Sequence, residues 1–399
     1  MAGSMQNGWP DMSVEQPSTS TADASGSPAA AEFSAKHARL VRILEDRGVD
    51  ALLLTSTGAL AWLLVGARVH ISLAGPPILT AVVHREGVEI GVFTNEAARI
   101  RDEELGALLE TSSPRLRLHE LPWHEDLEAT SAWLPGSAGW ELLDEASAAL
   151  QLRAARAELL PTEIERYRAL CTDAAVALTD VLSEVTPETT ERELAAALGP
   201  RILDAGADPV VLLVSGASRA AHRHPLPTEA ALGHRAMAVV CARRGGLIAN
   251  VTRWVGFEAP RPGEAELDAA ISAVEADAFQ ALVPGAELAS VLQELQRAYP
   301  RHGFDAQEWT RHHQGGAAGY QGRDPRLSPG VADLIHPNQA FALNPTGFDT
   351  PRGLPAKVED TVVLRSTDSA STWIDVLSVD PRWPTVEVAG RPRPGVLRR

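Results

Sequence analysis

Two adjacent glycines, Gly245 and Gly246, separate two apolar runs, and this arrangement constrains the fold more than any other feature of the sequence. The runs cover residues 236–241 and 247–255, and each has the length and composition of a buried strand. Because glycine accepts the backbone angles of a tight turn, the chain is expected to reverse direction between them. Another apolar run, residues 210–214, precedes the pair. The middle of the chain therefore predicts an antiparallel sheet.

Helical patterns surround these strands. Thr190 can cap a helix over residues 190–205, because Glu193 stands three positions on, as a capping box requires, and Gly206 follows as a stop. The other segments of this part are predicted as helices over residues 161–185, 262–282 and 288–298 and as strands over 340–343 and 361–364. Helices interleaved with antiparallel strands predict an α+β domain.

The first third of the chain has a different pattern. Residues 1–32 are rich in Ser, Thr, Ala and Pro, and we expect a disordered tail there because they offer little apolar surface to bury. After the tail the patterns predict a helix over residues 34–48, strands over 51–54, 78–83 and 88–93, and a helix over 94–109. The predicted units are thus a tail (1–32), a smaller α/β domain (33–155), an α+β domain (156–376) and a C-terminal extension (377–399).

Charge and composition exclude several classes of protein. The 399 residues include 52 acidic and 36 basic side chains, a formal net charge of −16, which argues against a nucleic-acid partner. No apolar run is long enough to span a membrane, and the N-terminus is not typical of a signal peptide. The two cysteines, Cys171 and Cys241, cannot build a disulfide framework. We therefore expect a cytoplasmic protein with no membrane partner.

Polar side chains suited to chemistry concentrate in five places. Each lies at or near the end of a predicted strand or in a glycine-containing loop. These places are residues 215–219 with 222–224, Cys241 with 250–253, 311–316 with Tyr320, Arg323 and Asp324, then 344–345, and finally 357–360.

The order and spacing of these motifs resemble the aminopeptidase P/creatinase family, which has the pita-bread fold and includes proline dipeptidases. The resemblance extends from about residue 34 to 375. It implies a pita-bread domain preceded by a smaller creatinase-type domain. The motifs that carry it are the helix start at Thr190, His224–Pro225, Asn250–Arg253, His313 with the following Gly315–Gly316, and Lys357–Glu359–Asp360.

The resemblance also shows what this sequence lacks. Metallopeptidases of the family hold two metal ions with two Asp, one His and two Glu ligands. The corresponding residues here are Cys241, Asn250, His313 (or His312), Asn344 and Glu359, so only His and Glu agree. Neutral amides cannot replace the carboxylate charge that two dications need. We therefore expect no metal and no cofactor, although a single zinc ion held by Cys241, His313 and Glu359 stays an alternative.

Creatinase-type relatives hydrolyse a C–N bond without metal, and the resemblance implies that His224 would be the general acid/base here, with His222 as the second choice. His313 and Glu359 would complete the catalytic set. The substrate is predicted to be a small polar molecule that bears a carboxylate, and hydrolysis or elimination would fit. The residues predicted to bind it are Arg219, His222, Asn250, Arg253, His312, Tyr320, Arg323 and Asn344.

Other interpretations remain open at this point. The chain could be a divergent X-Pro metallopeptidase with one metal, or a non-catalytic binding protein on a peptidase fold. Cys241 could be an inert core thiol, Arg253 could form a structural salt bridge, and Glu359 could pair with a neighbouring cation. The resemblance further implies a homodimer.

Overall fold

The computed structural model describes residues 27–111, 113–366 and 371–399. It confirms the α+β class. Helices occupy Pro28–Arg47 (α1), Thr57–Leu63 (α2), Thr94–Arg99 (α3), Gly106–Leu109 (α4), Thr130–Trp133 (α5), Ala149–Ala157 (α6), Pro161–Leu182 (α7), Glu191–Asp204 (α8), Glu264–Gln280 (α9) and Ala289–Arg301 (α10). No helix in these ranges is both long and apolar enough to cross a membrane.

The N-terminal unit is built on a five-stranded mixed sheet. Its strands are Ala51–Leu54 (β1), Leu79–His84 (β2), Gly87–Phe93 (β3), Arg115–Leu121 (β4) and Leu142–Asp144 (β5), in the order β4-β3-β2-β1-β5. The strands predicted at 51–54, 78–83 and 88–93 are confirmed, and the last two pair as an antiparallel hairpin. Every residue of β1 is buried, as expected for a strand that lies inside the sheet.

Two predictions in this unit were wrong. Helix α1 begins at Pro28, where Ser27 caps it by accepting a hydrogen bond from the Ala30 amide, so ordered chain starts earlier than residue 33. The rest of the predicted tail, residues 1–26, lies outside the described residues. The helix predicted over residues 94–109 is interrupted by a π-helical turn at Ile100–Glu104. Its start has no side-chain cap, because the cap position is Phe93, whose side chain cannot accept a hydrogen bond.

Up to residue 376 the second unit contains a three-stranded sheet, a four-stranded sheet and a two-stranded ribbon. Their strands are Asp208–Gly216 (β6), Arg235–Arg244 (β7), Leu247–Gly256 (β8), Gly315–Ala317 (β9), Gln339–Leu343 (β10), Thr346–Asp349 (β11), Leu354–Lys357 (β12), Asp360–Ser366 (β13) and Thr372–Val376 (β14). The predicted reversal at Gly245–Gly246 is confirmed, with φ of 54° and 76°. Thr190 and Glu193 form the predicted capping box at the start of α8.

The two sheets meet beside one residue. The Thr252 amide in β8 donates a 3.0 Å hydrogen bond to the carbonyl oxygen of Glu359, which immediately precedes β13. Backbone geometry thus fixes Glu359 at the junction of the sheets β6-β7-β8 and β9-β10-β13-β14.

The C-terminal segment is integrated into this unit. Its strands are Thr385–Val388 (β15), Arg391–Pro394 (β16) and Leu397–Arg398 (β17), and β17 extends the first sheet by pairing in parallel with β8. The buried Arg393 guanidinium donates to Glu275 of α9 and to Asp360 of β13, at 2.7 and 2.9 Å. The segment therefore contributes a charge to the interior of the α+β domain.

A buried charge cluster joins the two units. The Lys36 ammonium of α1 is fully buried and lies 2.7 Å from Glu32 and 2.8 Å from Glu163 of α7. Arg166 donates two hydrogen bonds to Glu32, at 2.7 and 2.8 Å. Removing one member would leave its partners charged and desolvated, which is costly. This cluster holds the N-terminal unit against α7.

Candidate active site

Three histidines from two segments form one cluster. His224 lies between β6 and β7, and His312 and His313 directly precede β9. The Nε2 atoms of His224 and His312 are 3.1 Å apart, and the rings of His312 and His313 stack with centroids 4.4 Å apart. His312 is buried and His224 is exposed, so the cluster runs from the interior to solvent. The structure thus brings these three predicted site residues together.

The hydrogen bonds fix which ring nitrogens carry protons. His312 Nδ1 lies 2.5 Å from the His313 carbonyl oxygen, which can only accept, so Nδ1 carries the hydrogen. Burial, with the nearby Lys357 charge, lowers the pKa of His312 to about 2, and the ring is therefore neutral. Its Nε2 consequently accepts a hydrogen bond from His224 Nε2–H. In neutral His224 the remaining lone pair is on Nδ1.

The two glycines after the histidines have a packing role. Gly315 adopts φ of 102°, and a Cβ on it would lie 2.3 Å from the Ala342 carbonyl oxygen. A Cβ on Gly316 would lie 2.2 Å from the Pro325 carbonyl oxygen. Only glycine permits this approach of β9 to its neighbours, so the glycines hold the His312–His313 pair in place.

Cationic side chains surround the buried Glu359 carboxylate. Its Oε1 accepts a 2.6 Å hydrogen bond from Arg323 Nη2, and its Oε2 accepts a 2.7 Å bond from the Thr252 hydroxyl. The Lys357 ammonium lies 3.9 Å from Oε2. Burial alone would raise the pKa of Glu359, but Lys357 and Arg323 lower it. The carboxylate is therefore ionised and already engaged with protein cations.

The histidine cluster and these charges act on one another. Burial and the charges of Arg323, Lys357 and Arg326 lower the pKa of His313 to about 4. Burial and Lys357 also lower the pKa of His224, which Glu359 partly opposes. Three cations thus face this region against one carboxylate. Such an excess of positive charge favours anions.

A cavity of about 390 Å³ opens beside the histidines. It is lined by His312 and His313 together with apolar groups that include Trp309 and Leu327. This volume lies in the range of small-molecule sites. The space next to His312 and His313, called the cleft below, therefore suits a small molecule; of the predicted site residues these two line it.

The residues at the five family metal positions do not fit a pair of metal ions. The Cys241 thiol donates to Asn250 Oδ1 at 3.3 Å, and burial and Glu359 raise its pKa to about 12, so it is not a thiolate. Asn250 Nδ2 donates to the Ile248 carbonyl oxygen at 3.0 Å, which satisfies the amide inside the sheet. Glu359 is bonded to Arg323. Together these residues offer one carboxylate, and a protein cation holds it.

The alternative zinc site on Cys241, His313 and Glu359 also finds no support. Within residues 27–111, 113–366 and 371–399, one group of three or more potential metal ligands comes close together, and it consists of His224, His312 and His313. Cys241 and Glu359 do not join it.

Two predicted substrate-binding arginines have structural roles, which corrects the sequence prediction. Arg219 Nη1 pairs with the buried Glu191 of α8 and also donates to the Leu226 carbonyl oxygen at 3.0 Å. Arg253 is buried and donates to Asp360 and to the Ser378 carbonyl oxygen, at 2.8 and 2.7 Å. Both guanidinium groups are engaged within the fold, so we withdraw them as substrate ligands.

Tyr320 is corrected in the same way. Its hydroxyl donates to Glu163 at 2.7 Å and lies 3.3 Å from the Lys36 ammonium, which places it in the cluster between the two units. The residue is buried there, outside the cleft.

The remaining predicted residues lie near the cluster. Asn344 is 2% exposed, and its Oδ1 has no hydrogen-bond partner among the described residues. His222 lines a small recess with Arg223 and Lys357. Arg323 is the partner of Glu359. Asn344, His222 and Arg323 therefore stay candidates for substrate binding.

Lys357 belongs to one of the five polar places in the sequence, but the sequence assigns it no role in the site. The residue stands two positions before Glu359, and alternate residues of an extended chain point to the same side. That spacing was the available signal. Its buried ammonium could be recognised as important only once its distance to Glu359 and its effect on the histidines were known.

Comparisons with known proteins identify the family. The profile of metallopeptidase family M24 matches residues 165–366. The chain belongs to this family. The predicted aminopeptidase P/creatinase membership and the pita-bread fold are confirmed. No curated protein matches the sequence.

Solved structures agree on the fold. The prolidase from Pyrococcus horikoshii OT3 superposes with a TM-score of 0.67 at 17% identity, covering 87% of this chain and 99% of the prolidase. The dipeptidase PepE from Mycobacterium ulcerans gives 0.70 at 18% identity, covering 88% and 96%. The N-terminal domain of the FACT complex subunit SPT16 from chickpea (Cicer arietinum) gives 0.61 at 14% identity, covering 87% and 96%. At these identities the likeness establishes the fold alone.

Proposed function

We propose that this chain is a metal-independent hydrolase of a C–N bond, or a lyase, that acts on a small carboxylate-bearing molecule. The observation that carries the proposal is the Glu359 carboxylate bonded to Arg323, with Lys357 beside it, at the position where the family's metal ions need anionic ligands. Arg323 and Lys357 would repel a pair of dications bound there. Proton transfer then falls to the imidazoles.

His224 is the proposed general base and acid. Its Nε2–H donates to the neutral His312, which leaves the lone pair on Nδ1 to take a proton from water or substrate. The protonated ring keeps its hydrogen bond to His312 and can return the Nδ1 proton to the leaving nitrogen. Because burial and Lys357 lower the pKa of His224, the base form is available at neutral pH.

The excess of cations supports a carboxylate-bearing substrate. Arg323 Nε and Arg223 Nη1 are buried and have no partner among the described residues, although each guanidinium has another bond to a glutamate. Such donors gain from binding an anion. The unpartnered Asn344 Oδ1 can accept a hydrogen bond from an N–H of the substrate. A small amide or amidine with a carboxylate matches these groups.

The experiment starts from protein treated with chelator and shown by elemental analysis to contain no Zn, Mn, Fe or Co. Mass spectrometry then follows its action on a panel of small carboxylate-bearing amides, ureas and amidines, with and without added metal. We expect turnover without metal. Turnover of X-Pro dipeptides that requires Mn²⁺ or Co²⁺ would instead support the one-metal peptidase.

A non-catalytic binding role is the other outcome of the same panel. It would give binding of a compound without conversion, and His224→Ala would leave that binding intact. The homodimer and the cytoplasmic location stay predictions, and sedimentation of the purified protein tests the first.

A further inference from the structure

The histidine cluster has a second chemical capacity besides proton transfer. The nitrogen atoms of His224, His312 and His313 that could bind a metal all lie within 4.8 Å of one another. The pair His224 Nε2 and His312 Nε2 is 3.1 Å apart. Two nitrogens bound to one zinc at about 2.0–2.1 Å in tetrahedral geometry would be about 3.3 Å apart. The separation of this pair is therefore already close to that of two ligands of one ion.

The orientation of His312 is the one that metal-binding histidines usually have. Its Nδ1–H donates to the His313 carbonyl oxygen, which fixes the ring and directs the Nε2 lone pair toward His224. His313 contributes a further observation, because its Nδ1 is buried without a hydrogen-bond partner among the described residues. A bound ion would satisfy this atom. Separations of up to 4.8 Å between the ligand nitrogens are wider than those of two ligands of one ion. Binding therefore requires a rotation of an imidazole ring, which the exposed position of His224 allows.

The neighbouring charges restrict which ion can bind. Lys357, Arg323 and Arg326 face the histidines and Glu359 opposes them, so the surroundings repel cations on balance. Ions that depend on carboxylates, such as Mg²⁺ and Ca²⁺, find no suitable ligands in the cluster. Neutral imidazoles suit Zn²⁺, Co²⁺, Ni²⁺ and Cu²⁺.

We propose that His224, His312 and His313 form a site for one transition-metal ion of the zinc type, distinct from the family's carboxylate positions. In this site two metal–nitrogen bonds replace the hydrogen bond between His224 and His312. The His224 proton moves from Nε2 to Nδ1, so no proton is lost. The Nδ1 lone pair is then absent, and the ion inhibits the proton transfer. The binding itself is independent of the proposed function, whereas the inhibition rests on it.

Titration of metal-free protein with Co²⁺ and with Zn²⁺ tests the site. We expect one ion per chain by calorimetry and cobalt absorption bands typical of nitrogen and oxygen ligands. Replacing any one of His224, His312 or His313 by Ala should weaken binding beyond the roughly 10–100-fold loss typical of outer-shell changes. Glu359→Gln is the matched control: it removes the opposing carboxylate but no ligand, so it should weaken binding far less than any histidine change. Circular dichroism and melting of each variant separate lost ligands from lost folding.

Several results would overturn the site: no binding, loss of binding in Glu359→Gln, or a thiolate-to-cobalt band, which would indicate Cys241 as a ligand. Turnover separates this proposal from the previous one. Binding with stimulated turnover would refute the inhibition and the metal-independent mechanism while the site stands. Metal-free turnover with no binding would refute the site alone.

Discussion

Glu359 and Asp360 are adjacent carboxylates with opposite surroundings. Both Asp360 oxygens are bonded inside the fold, Oδ1 to Arg253 and Ser378 and Oδ2 to Arg393. Glu359 is equally buried, but its partners Arg323 and Lys357 are the cations that lower the pKa of His313. The bonds of Asp360 join β8, β13 and the C-terminal segment, whereas the charges around Glu359 act on the histidine cluster. The predictions test this division between structure and chemistry.

The largest expected effect is on turnover. His224→Ala should lower kcat/KM for any substrate found in the panel by about 10²–10⁴-fold, the range of a lost general acid/base. His224 is exposed but donates to the buried His312, so the free energy of unfolding should fall by only about 0.5–1.5 kcal/mol, the net value of one hydrogen bond. The exposed His124 of the N-terminal unit provides the control His124→Ala, which should leave turnover unchanged. Full activity of His224→Ala would show that the histidine cluster does not perform the chemistry.

The second prediction contrasts the two carboxylates directly. Asp360→Asn should lower the free energy of unfolding by about 3–5 kcal/mol, because buried Arg253 and Arg393 lose their shared anion. Glu359→Gln should cost less, on the order of 1–3 kcal/mol, because Glu359 has one close arginine partner, Arg323, whereas Asp360 has two. Denaturant unfolding of both variants measures the difference. Equal losses would show that Glu359 is as structural as its neighbour.

The cluster between the two units should stabilise the fold as the Asp360 network does, and the pH dependence of the free energy of unfolding should show it. Burial alone would raise the pKa of Glu32, but Arg166 and Lys36 lower it to about 2. The unfolded carboxyl titrates near 4.5. The stabilisation is therefore complete above that value and is lost as pH falls toward 2, by at most about 3 kcal/mol.

Stability curves at several acidic pH values test this. Glu32→Gln should be less stable at neutral pH and lose less stability on acidification. Glu45→Gln, on an exposed position of the same helix, controls for the removal of a carboxylate. Identical acid dependence in the Glu32 variant and the unmodified protein would contradict the prediction.

Much of the fold could be predicted because its signals are local. The capping box at Thr190 and the glycine turn at Gly245–Gly246 each rest on residues close in the chain. The failures have tertiary causes. Helix α1 starts at Pro28 because Glu32 and Lys36 are buried against α7, although both side chains are charged. Composition alone could not reveal partners more than a hundred residues away.

The site was predicted unevenly for the same reason. The resemblance located His224, His312, His313 and Glu359, and the structure places them around one region. It could not tell which arginines face that region, because a guanidinium takes its role from its partner. Arg253 pairs with Asp360 and Arg323 pairs with Glu359, a difference that depends on the packing of the two sheets.

The smallest expected effect is a shift in the pKa of His224. It tests directly whether the Lys357 charge lowers this pKa. Burial and this charge lower the pKa of His224 from 6.5, so the acid limb of kcat/KM against pH should lie below 6.5. Lys357→Met removes the charge and keeps an unbranched side chain. The pKa of His224 then rises, and the acid limb moves to higher pH. Lys357→Arg keeps the charge and should leave the limb near its original position. These pH profiles are measured in the presence of chelator. If the acid limb does not move in Lys357→Met, the general base is a group whose pKa Lys357 does not affect, and His222 is the next candidate.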